Sequence, residues 1–570
     1  MNSALLLLIG IIVLICGYIF YGGWLAKTWG IDPKRKTPAV ELKDGVDYMP
    51  AKVPVLMGHH FSSIAGAGPI TGPVQAAVFG WVPVMLWILI GGIFFGGVHD
   101  FGALFASLRH KGQSIGEIIG DTMGGLMKKL FSIFTYLTLL LVIGAFTSMV
   151  AGTFCATYTE SGAVDYAASA TNAATAMISI FFILMAIIFG FMIYRRNAPL
   201  LVSTLVAVVA IAAVIVFGLN FHPIYLNEKT WMILIGVYIS VASVVPVWIL
   251  LQPRDYLSSF LLYFMLLVAV IGIFVSHPNI SAMPAFTSFY NKTQGYLFPS
   301  LFVTIACGAI SGFHSLVSSG TTSKQLDNEK HAKPIAYGSM LIECVLGLCT
   351  ICAVGFMWAR FSSGEVTNPM QVFSIGISQM VAEVPGLAKT QTVLQSVLIL
   401  AISVFCLTSL DTSTRLARYT FQELWLKPGE TVQDAKGFQK VLTNPYLATI
   451  ITVVLGVGLG MTGYINIWPL FGAANQLLAA VGLLAVAVWL GKVGKNNKMF
   501  YIPMMFMMVV TITSLIHTIM TNISALSTSF DGWSLARTII AILLVVLALI
   551  LCVHSLRTMH KQRKEKAKLA

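Results

Sequence analysis

Runs of about twenty apolar residues recur along the whole chain, and each is long enough to cross the hydrocarbon core of a bilayer as a helix. No water is available there to satisfy a backbone N–H or C=O, so a segment of this length must bond within itself. An all-α, multi-pass membrane protein is the expected architecture. Composition agrees, because 57% of the 570 residues are apolar and only 10% are charged, against about 25% charged in a soluble chain.

Candidate spans lie at 4–24, 54–72, 73–98, 130–152, 174–194, 198–218, 231–251, 257–276, 297–318, 336–359, 394–411, 445–463, 467–490, 499–520 and 534–555, about fifteen in all. The stretch 54–72 is the weakest by hydropathy, yet charge argues that it crosses. With the N-terminus outside and that crossing counted, thirty Lys and Arg fall in cytoplasmic segments and four in the opposite loops. This is the positive-inside pattern, and dropping the crossing would invert the later loops and destroy it. The +13 net charge is thereby a topology signal, and nucleic acid is not an expected partner. The basic tail 556–570 becomes a cytoplasmic end facing anionic lipid. The first 23 residues lack a basic n-region and a small-residue cleavage site, so they read as a membrane helix instead of a removed signal. The longest hydrophilic stretches are too short for an independent core, so residues 1–570 form one membrane domain.

Enzyme signatures are absent: there is no HExxH, GxGxxG or Walker A sequence. Gly112-Gln113-Ser114-Ile115-Gly116 matches G-x-S-x-G, but that motif needs a strand-to-helix elbow and this copy lies in a loop between membrane helices. The eight cysteines contain no CxxC pair and read as small apolar residues. Gly92 and Gly96 form a small-xxx-small face suited to helix packing.

The chemistry is expected where polar residues interrupt the apolar pattern. Gly58-His59-His60-Phe61-Ser62-Ser63-Ile64-Ala65-Gly66-Ala67-Gly68-Pro69-Ile70-Thr71-Gly72-Pro73 cannot make an unbroken lipid-facing helix. A discontinuous helix of this kind lines the midplane site of many transporters. Its amides, near Gly66 and Gly68, suit a substrate carboxylate, and His59, His60 and Ser62 are further substrate candidates. The second interruption, Ala306 to Lys324, places Ser315, Ser318 and Ser319 on one helix face, where they serve either as cation ligands or as helix-to-helix hydrogen bonds. Ionisable groups at membrane depth are functional hypotheses by default. His314 and Glu343 are candidates for ion coupling, and Asp100, Arg254, Asp255, Asp411 and Arg415 for gating or structural pairing, with Asp411 and Arg415 spaced as an i, i+4 pair. A metal site at His59, His60, His99 and Asp100 is an alternative, and it requires a broken helix because adjacent helical histidines diverge by about 100°.

These same residues carry a resemblance. GHHFSSIAGAGPITGP (58–73), Val98-His99-Asp100-Phe101, LQPRDYLSSF (251–260), ACGAISGFHSLVSSGTTSKQL (306–326), TSLDTSTRLAR (408–418) and FGAANQLLA (471–479) resemble the carbon starvation protein A family of bacterial inner-membrane transporters. The chain is similar to the shorter branch; some longer relatives carry Gln at the position of His99. The resemblance implies uptake of peptides or of pyruvate, and a core of two inverted five-helix repeats. In that register 54–218 is the first repeat, 231–411 the second, 4–24 a preceding helix and 445–555 four additional helices. Segment 231–251, with Ser243, becomes the inverted mate of the broken 54–72, and 297–320 the eighth helix, which supplies Ser/Thr cation ligands in sodium-coupled relatives.

The expected function is an ion-coupled importer of pyruvate or short peptides, driven by H⁺ or Na⁺ because no ATP-binding module is present, with no other cofactor. Substrate would lie between 58–72 and 240–248. A membrane-embedded metal-binding enzyme and a nutrient sensor without transport are the rival classes. The small-molecule substrate and membrane lipid are the expected partners, and the sequence leaves oligomeric state open.

Overall fold

A computed structural model describes residues 2–45, 47–196, 198–427, 430, 432–528 and 532–569. In chain order the helices are α1 (Ser3–Trp29), α2 (Val53–Ile64), α3 (Gly68–Ala76), α4 (Trp81–Arg109), α5 (Ile115–Met123), α6 (Gly125–Phe154), α7 (Tyr166–Tyr194), α8 (Leu200–Asn220), α9 (Glu228–Val244), α10 (Leu251–Ser276), α11 (Leu297–Ile305), α12 (Gly312–Gly320), α13 (Glu329–Phe356), α14 (Pro369–Ala382), α15 (Gln391–Leu424), α16 (Pro445–Gly460), α17 (Tyr464–Lys492), α18 (Tyr501–Thr528) and α19 (Gly532–Leu569). Local sequence sets many of their starts. Asn227, Asn368 and Asn444 cap α9, α14 and α16 by accepting backbone N–H groups two or three residues on. Ser114, the centre of the G-x-S-x-G match, caps α5 by accepting from Glu117 N–H, which accounts for the motif without catalysis.

Twelve helices among the described residues are long and apolar enough to span a membrane. The difference from about fifteen lies in three expected crossings that are short or broken: the α2–α3 pair, α9 with 17 residues and α16 with 16. The layering follows burial. The apolar window of α17 is wholly buried, whereas that of α8 is 17% buried, and α8 turns side chains such as Leu201 and Val209 outward. An apolar exterior around a polar interior is how a membrane bundle meets lipid. The side chains of the basic tail at 563 and 565–570 lie outside the described residues.

At the centre, two interrupted helices lie antiparallel: α3 packs on α11, and α2 on α12. Gly72 permits the crossing, because a Cβ there would stand 2.6–2.7 Å from the backbone of Ile305. The expected mate of the first broken helix is thereby corrected. Segment 231–251 is not a helix broken at mid-depth but α9, which ends at Val244 before Val245-Pro246. It packs on α6, α15 and α16. Proline cannot continue a helix ladder, and the residue before it avoids helical angles, so Pro246 ends α9 without a second half in line.

The packing repeats itself around this pair. α2 lies on α10 as α11 lies on α17; α6 lies on α16 as α15 lies on α9; α10 meets α15 as α17 meets α6. The long helices α6 and α15 also pack on one another, as do α9 and α16. Short α5 precedes α6 as short α14 precedes α15. The α7–α8 hairpin has no counterpart.

Candidate functional site

The first break follows from Ile64-Ala65-Gly66-Ala67-Gly68-Pro69. Helix α2 stops at Ile64 and α3 starts afresh with Pro69 in its first turn, where a missing N–H costs nothing. Gly66 N–H turns back to Ile64 C=O at 2.8 Å. The Ser63 carbonyl freed by the break accepts from Ser409 Oγ of α15 at 3.0 Å, and Thr412 Oγ1 lies 3.3 Å from Ser63 Oγ. Hydroxyls of α15 thus support the break, whereas 297–320, expected as an eighth helix supplying Ser/Thr cation ligands, is itself the second broken helix. In the second break Ala306 adopts φ +39°, an unfavourable conformation for a residue with a Cβ. Asn475 of α17 supports it: Oδ1 accepts from Phe313 N–H at 2.9 Å and Nδ2 donates to Ser311 Oγ at 3.0 Å. Gly96 lets α4 reach the carbonyl of Ala309 in the same break, and Gly92 packs on Cys344.

The adjacent histidines diverge. His59 Nδ1 lies 2.7 Å from Asp255 Oδ2, and Gln325 Nε2 donates to its Nε2 at 3.3 Å. His60 Nδ1 lies 2.8 Å from Thr322 Oγ1, and its Nε2 is buried with no hydrogen-bond partner among the described residues.

Two buried ionic networks flank the pair. The first runs from His59 through Asp255 to Arg254 Nη2 (3.2 Å), and Arg254 Nη1 pairs with Asp411. Tyr238 closes it, donating to Asp411 Oδ2 at 2.6 Å and accepting from Arg254 Nη1 at 2.6 Å. The expected Asp411–Arg415 pairing is corrected. Asp411 belongs to Arg254, while Arg415 donates to the carbonyls of Ala242 and Val245 and lies 3.6 Å from Asp47. An i, i+4 spacing makes a pair available, but the end of α9 offers Arg415 carbonyls that the end of a helix leaves unbonded.

The second network joins α4, α12 and α13. His99 Nδ1 lies 2.9 Å from Asp100 Oδ1, Asp100 Oδ2 lies 2.9 Å from His314 Nδ1, and His314 Nε2 lies 3.5 Å from Glu343 Oε2. Neither oxygen of Glu343 makes a hydrogen bond among the described residues. The four-residue metal alternative is corrected by this arrangement, since His59 and His60 turn to Asp255 and Thr322 while His99 and Asp100 turn to His314. Among the described residues no group of three or more His, Cys, Asp or Glu could hold a metal ion.

Other expected positions are now placed. Ser62 Oγ donates to Gly58 C=O at 2.7 Å and Asp255 C=O at 3.0 Å, within the α2–α10 contact. Gly66 packs against Phe146 and Ser409, and Gly68 against Cys307, so their helix-breaking role is also a packing role. Ser243 lies 3.3 Å from Thr449 on α16, and this tie replaces the expected place beside the break. Ser315 Oγ donates to Gly312 C=O at 2.8 Å, whereas the buried hydroxyls of Ser318 and Ser319 have no partner among the described residues. Sequence reasoning missed Asn475, Tyr238, Ser409 and Thr412. An Asn-Gln pair inside the apolar run of α17 was the available signal for Asn475.

Two cavities approach the pair from opposite ends of the bundle. One, of about 260 Å³, is lined by Tyr48, Lys324 and Glu423 and reaches Leu316, Ser319 and Leu416. The other, of about 430 Å³, is lined by Ser148, Asn172, Glu228 and Asn368 and reaches Thr71.

Paired broken helices with polar groups at their breaks, inside an apolar-skinned helical bundle, define an integral membrane transporter of the inverted-repeat class. A mutant form of the Eremococcus coleocola manganese transporter shares this fold, with a TM-score of 0.51 over 91% of this chain and 99% of that one, at 12% identity. The chain belongs to the family described as Carbon starvation protein CstA, which it matches over residues 2–363 and 359–514. The peptide transporter CstA of Campylobacter jejuni is 33% identical over 91% of this chain and 80% of that protein. The peptide transporter CstA of Escherichia coli is 33% identical over 90% and 80%. The pyruvate/proton symporter BtsT of Escherichia coli is 32% identical over 88% and 79%.

Proposed function

We propose that the chain is a secondary active importer of small carboxylate-bearing nutrients, pyruvate or short peptides, in the bacterial inner membrane, driven by an H⁺ or Na⁺ gradient. The antiparallel pair α2–α3 and α11–α12 carries this reading, because breaks in hydrocarbon are tolerated where they line a site. Relatives named for peptide transport and for pyruvate/proton symport support both substrate classes. The substrate carboxylate goes to His60 Nε2 with Ser318 and Ser319, three buried groups that have no hydrogen-bond partner among the described residues. Thr322, bonded to His60, lies just beyond the end of α12, and α12 itself packs on α2. A carboxylate accepts from such donors and suits them better than an apolar group would. The amides of Gly66 and Gly68 give way in this role, since both residues are closely packed.

The repeated packing supports repeats at 53–276 and 297–492, with the α7–α8 hairpin inserted in the first, and α1, α18 and α19 outside both. Alternating access is then the rocking of one helix set against the other around the pair of breaks, opening the Ser319 cavity and the Thr71 cavity in turn. The loop charges support an outside N-terminus and a cytoplasmic C-terminus.

The test is uptake of labelled pyruvate and labelled dipeptides into proteoliposomes under separately imposed H⁺ and Na⁺ gradients. Concentrative uptake of either substrate is expected. No uptake of either, under any gradient, overturns the reading.

A further inference from the structure

The two buried networks differ in one respect that bears on chemistry. In the first, every charged side chain has a charge-assisted bond: His59 to Asp255, Asp255 to Arg254, Arg254 to Asp411. In the second, Glu343 is fully buried, has no hydrogen bond on either oxygen among the described residues, and lies 3.5 Å from the imidazole edge of His314. A carboxylate in such a place is costly as a bare ion and acceptable when it either carries a proton or closes on a cation. His314 supplies the second option, held by Asp100 on its other nitrogen.

We propose that the His314–Glu343 pair is the coupling-proton site of the transporter, with Asp100 and His99 as the groups that orient His314. This deepens the importer reading and rests on it. In the loaded form a proton sits on a Glu343 carboxyl oxygen, and the His314–Asp100 pair is a separate, closed ion pair. In the unloaded form that proton has left to solvent, and the Glu343 carboxylate is held by the His314 imidazolium, so the charge of the cluster falls by one. The other titratable groups around it are His99 and Asp100 from α4, His60 from α2, Cys307 from the second break, and Cys344 beside Glu343 on α13.

Location gives the proton mechanical leverage. His314 lies on α12, immediately after the Ala306–Ser311 break, whereas Asp100 and Glu343 lie on α4 and α13. Removing the proton ties α12 to α13 as well as to α4, and returning it loosens the α13 tie. Ser318, proposed for the substrate, is one turn further along the same short helix. Proton and substrate therefore act on one element whose hinge is the broken backbone.

The test uses the full-length protein in proteoliposomes, comparing wild type with Glu343→Gln and Glu343→Asp. Wild type is expected to accumulate substrate on an inward H⁺ gradient and not on Na⁺ alone. Glu343→Gln is expected to lose accumulation but keep substrate counterflow, an exchange needing no net proton movement, and Glu343→Asp to restore part of the accumulation. Infrared difference spectra taken across a pH step should show a carboxyl band in wild type that Glu343→Gln lacks. Undiminished proton-driven accumulation by Glu343→Gln overturns this proposal alone, as does Na⁺-driven accumulation by wild type. Absence of all uptake by wild type overturns the importer reading, and the infrared band then decides whether Glu343 exchanges a proton; its absence removes that too.

Discussion

Replacing Arg254 tests whether the first network holds the bundle together. The guanidinium is buried and bridges Asp255 on its own helix to Asp411 on α15, with Tyr238 of α9 bonded to Arg254 and to Asp411. In Arg254→Met, Asp411 keeps Tyr238 at 2.6 Å, and its other oxygen already lacks a hydrogen-bond partner among the described residues. Asp255 keeps His59 at 2.7 Å. Breaking a buried pair by removing one member typically costs about 3–5 kcal/mol, because the remaining charge stays desolvated. That corresponds to roughly 10²–10⁴-fold in the folded-to-unfolded ratio. The assay is thermal unfolding in detergent, followed by size-exclusion chromatography of the heated samples, with unfolding rates compared at one temperature. Arg254→Met is expected to aggregate at clearly lower temperature. Arg254→Met with Asp411→Asn should recover much of the loss, because it removes both charges and leaves Asp255 with His59. Wild-type stability in the single variant would refute the reasoning, and so would a double variant no better than the single one.

Three further outcomes are expected. His60→Ala should abolish uptake without loss of folded protein; full retained uptake removes His60 from the site. Asn475→Leu should cost about 1–3 kcal/mol, because it leaves the Phe313 N–H and Ser311 at the second break unsatisfied, and thermal unfolding with uptake reads both effects. Asp47, in the loop before α2, is desolvated by burial, which raises its pKa, but Lys324, Arg415, the Tyr419 hydroxyl and Arg418 together hold it below the usual carboxylate range. Its contribution is present above the ordinary Asp value of about 3.9 and is lost as pH falls through the lower folded value. Protease sensitivity of segment 37–52 should therefore rise on acidification in wild type, and already at neutral pH in Asp47→Asn; equal sensitivity of the two at neutral pH counts against a role of the Asp47 contacts in holding this loop.

Much of the site was legible because polar residues are costly in hydrocarbon and so stand out against their surroundings. Both breaks and the histidines could be read in this way, and so could most of the buried charges. Partners could not be. His59 and His60 are adjacent in sequence yet belong to different neighbours, because a helix turns about 100° per residue. Asp411 is spaced to pair with Arg415 and pairs instead with Arg254, 157 positions away. Asn475 lay in a quoted motif without an assigned role, since nothing local connects it to a break 164 residues distant.

The sequence by itself determined that this chain is a multi-pass helical membrane protein. It also determined where its helices must break: apolar length, glycine, proline and buried charge act locally, and each carries its meaning wherever the chain goes. Only the tertiary structure decided which break faces which. Helix order suggested α9 as the mate of the first broken helix, whereas packing gave that place to α11–α12, where Gly72 and the Ile305 backbone come together. On the proposed repeats the α7–α8 hairpin is an insertion that shifts helix order without disturbing the contacts, so a count along the chain cannot recover the correspondence that packing preserves.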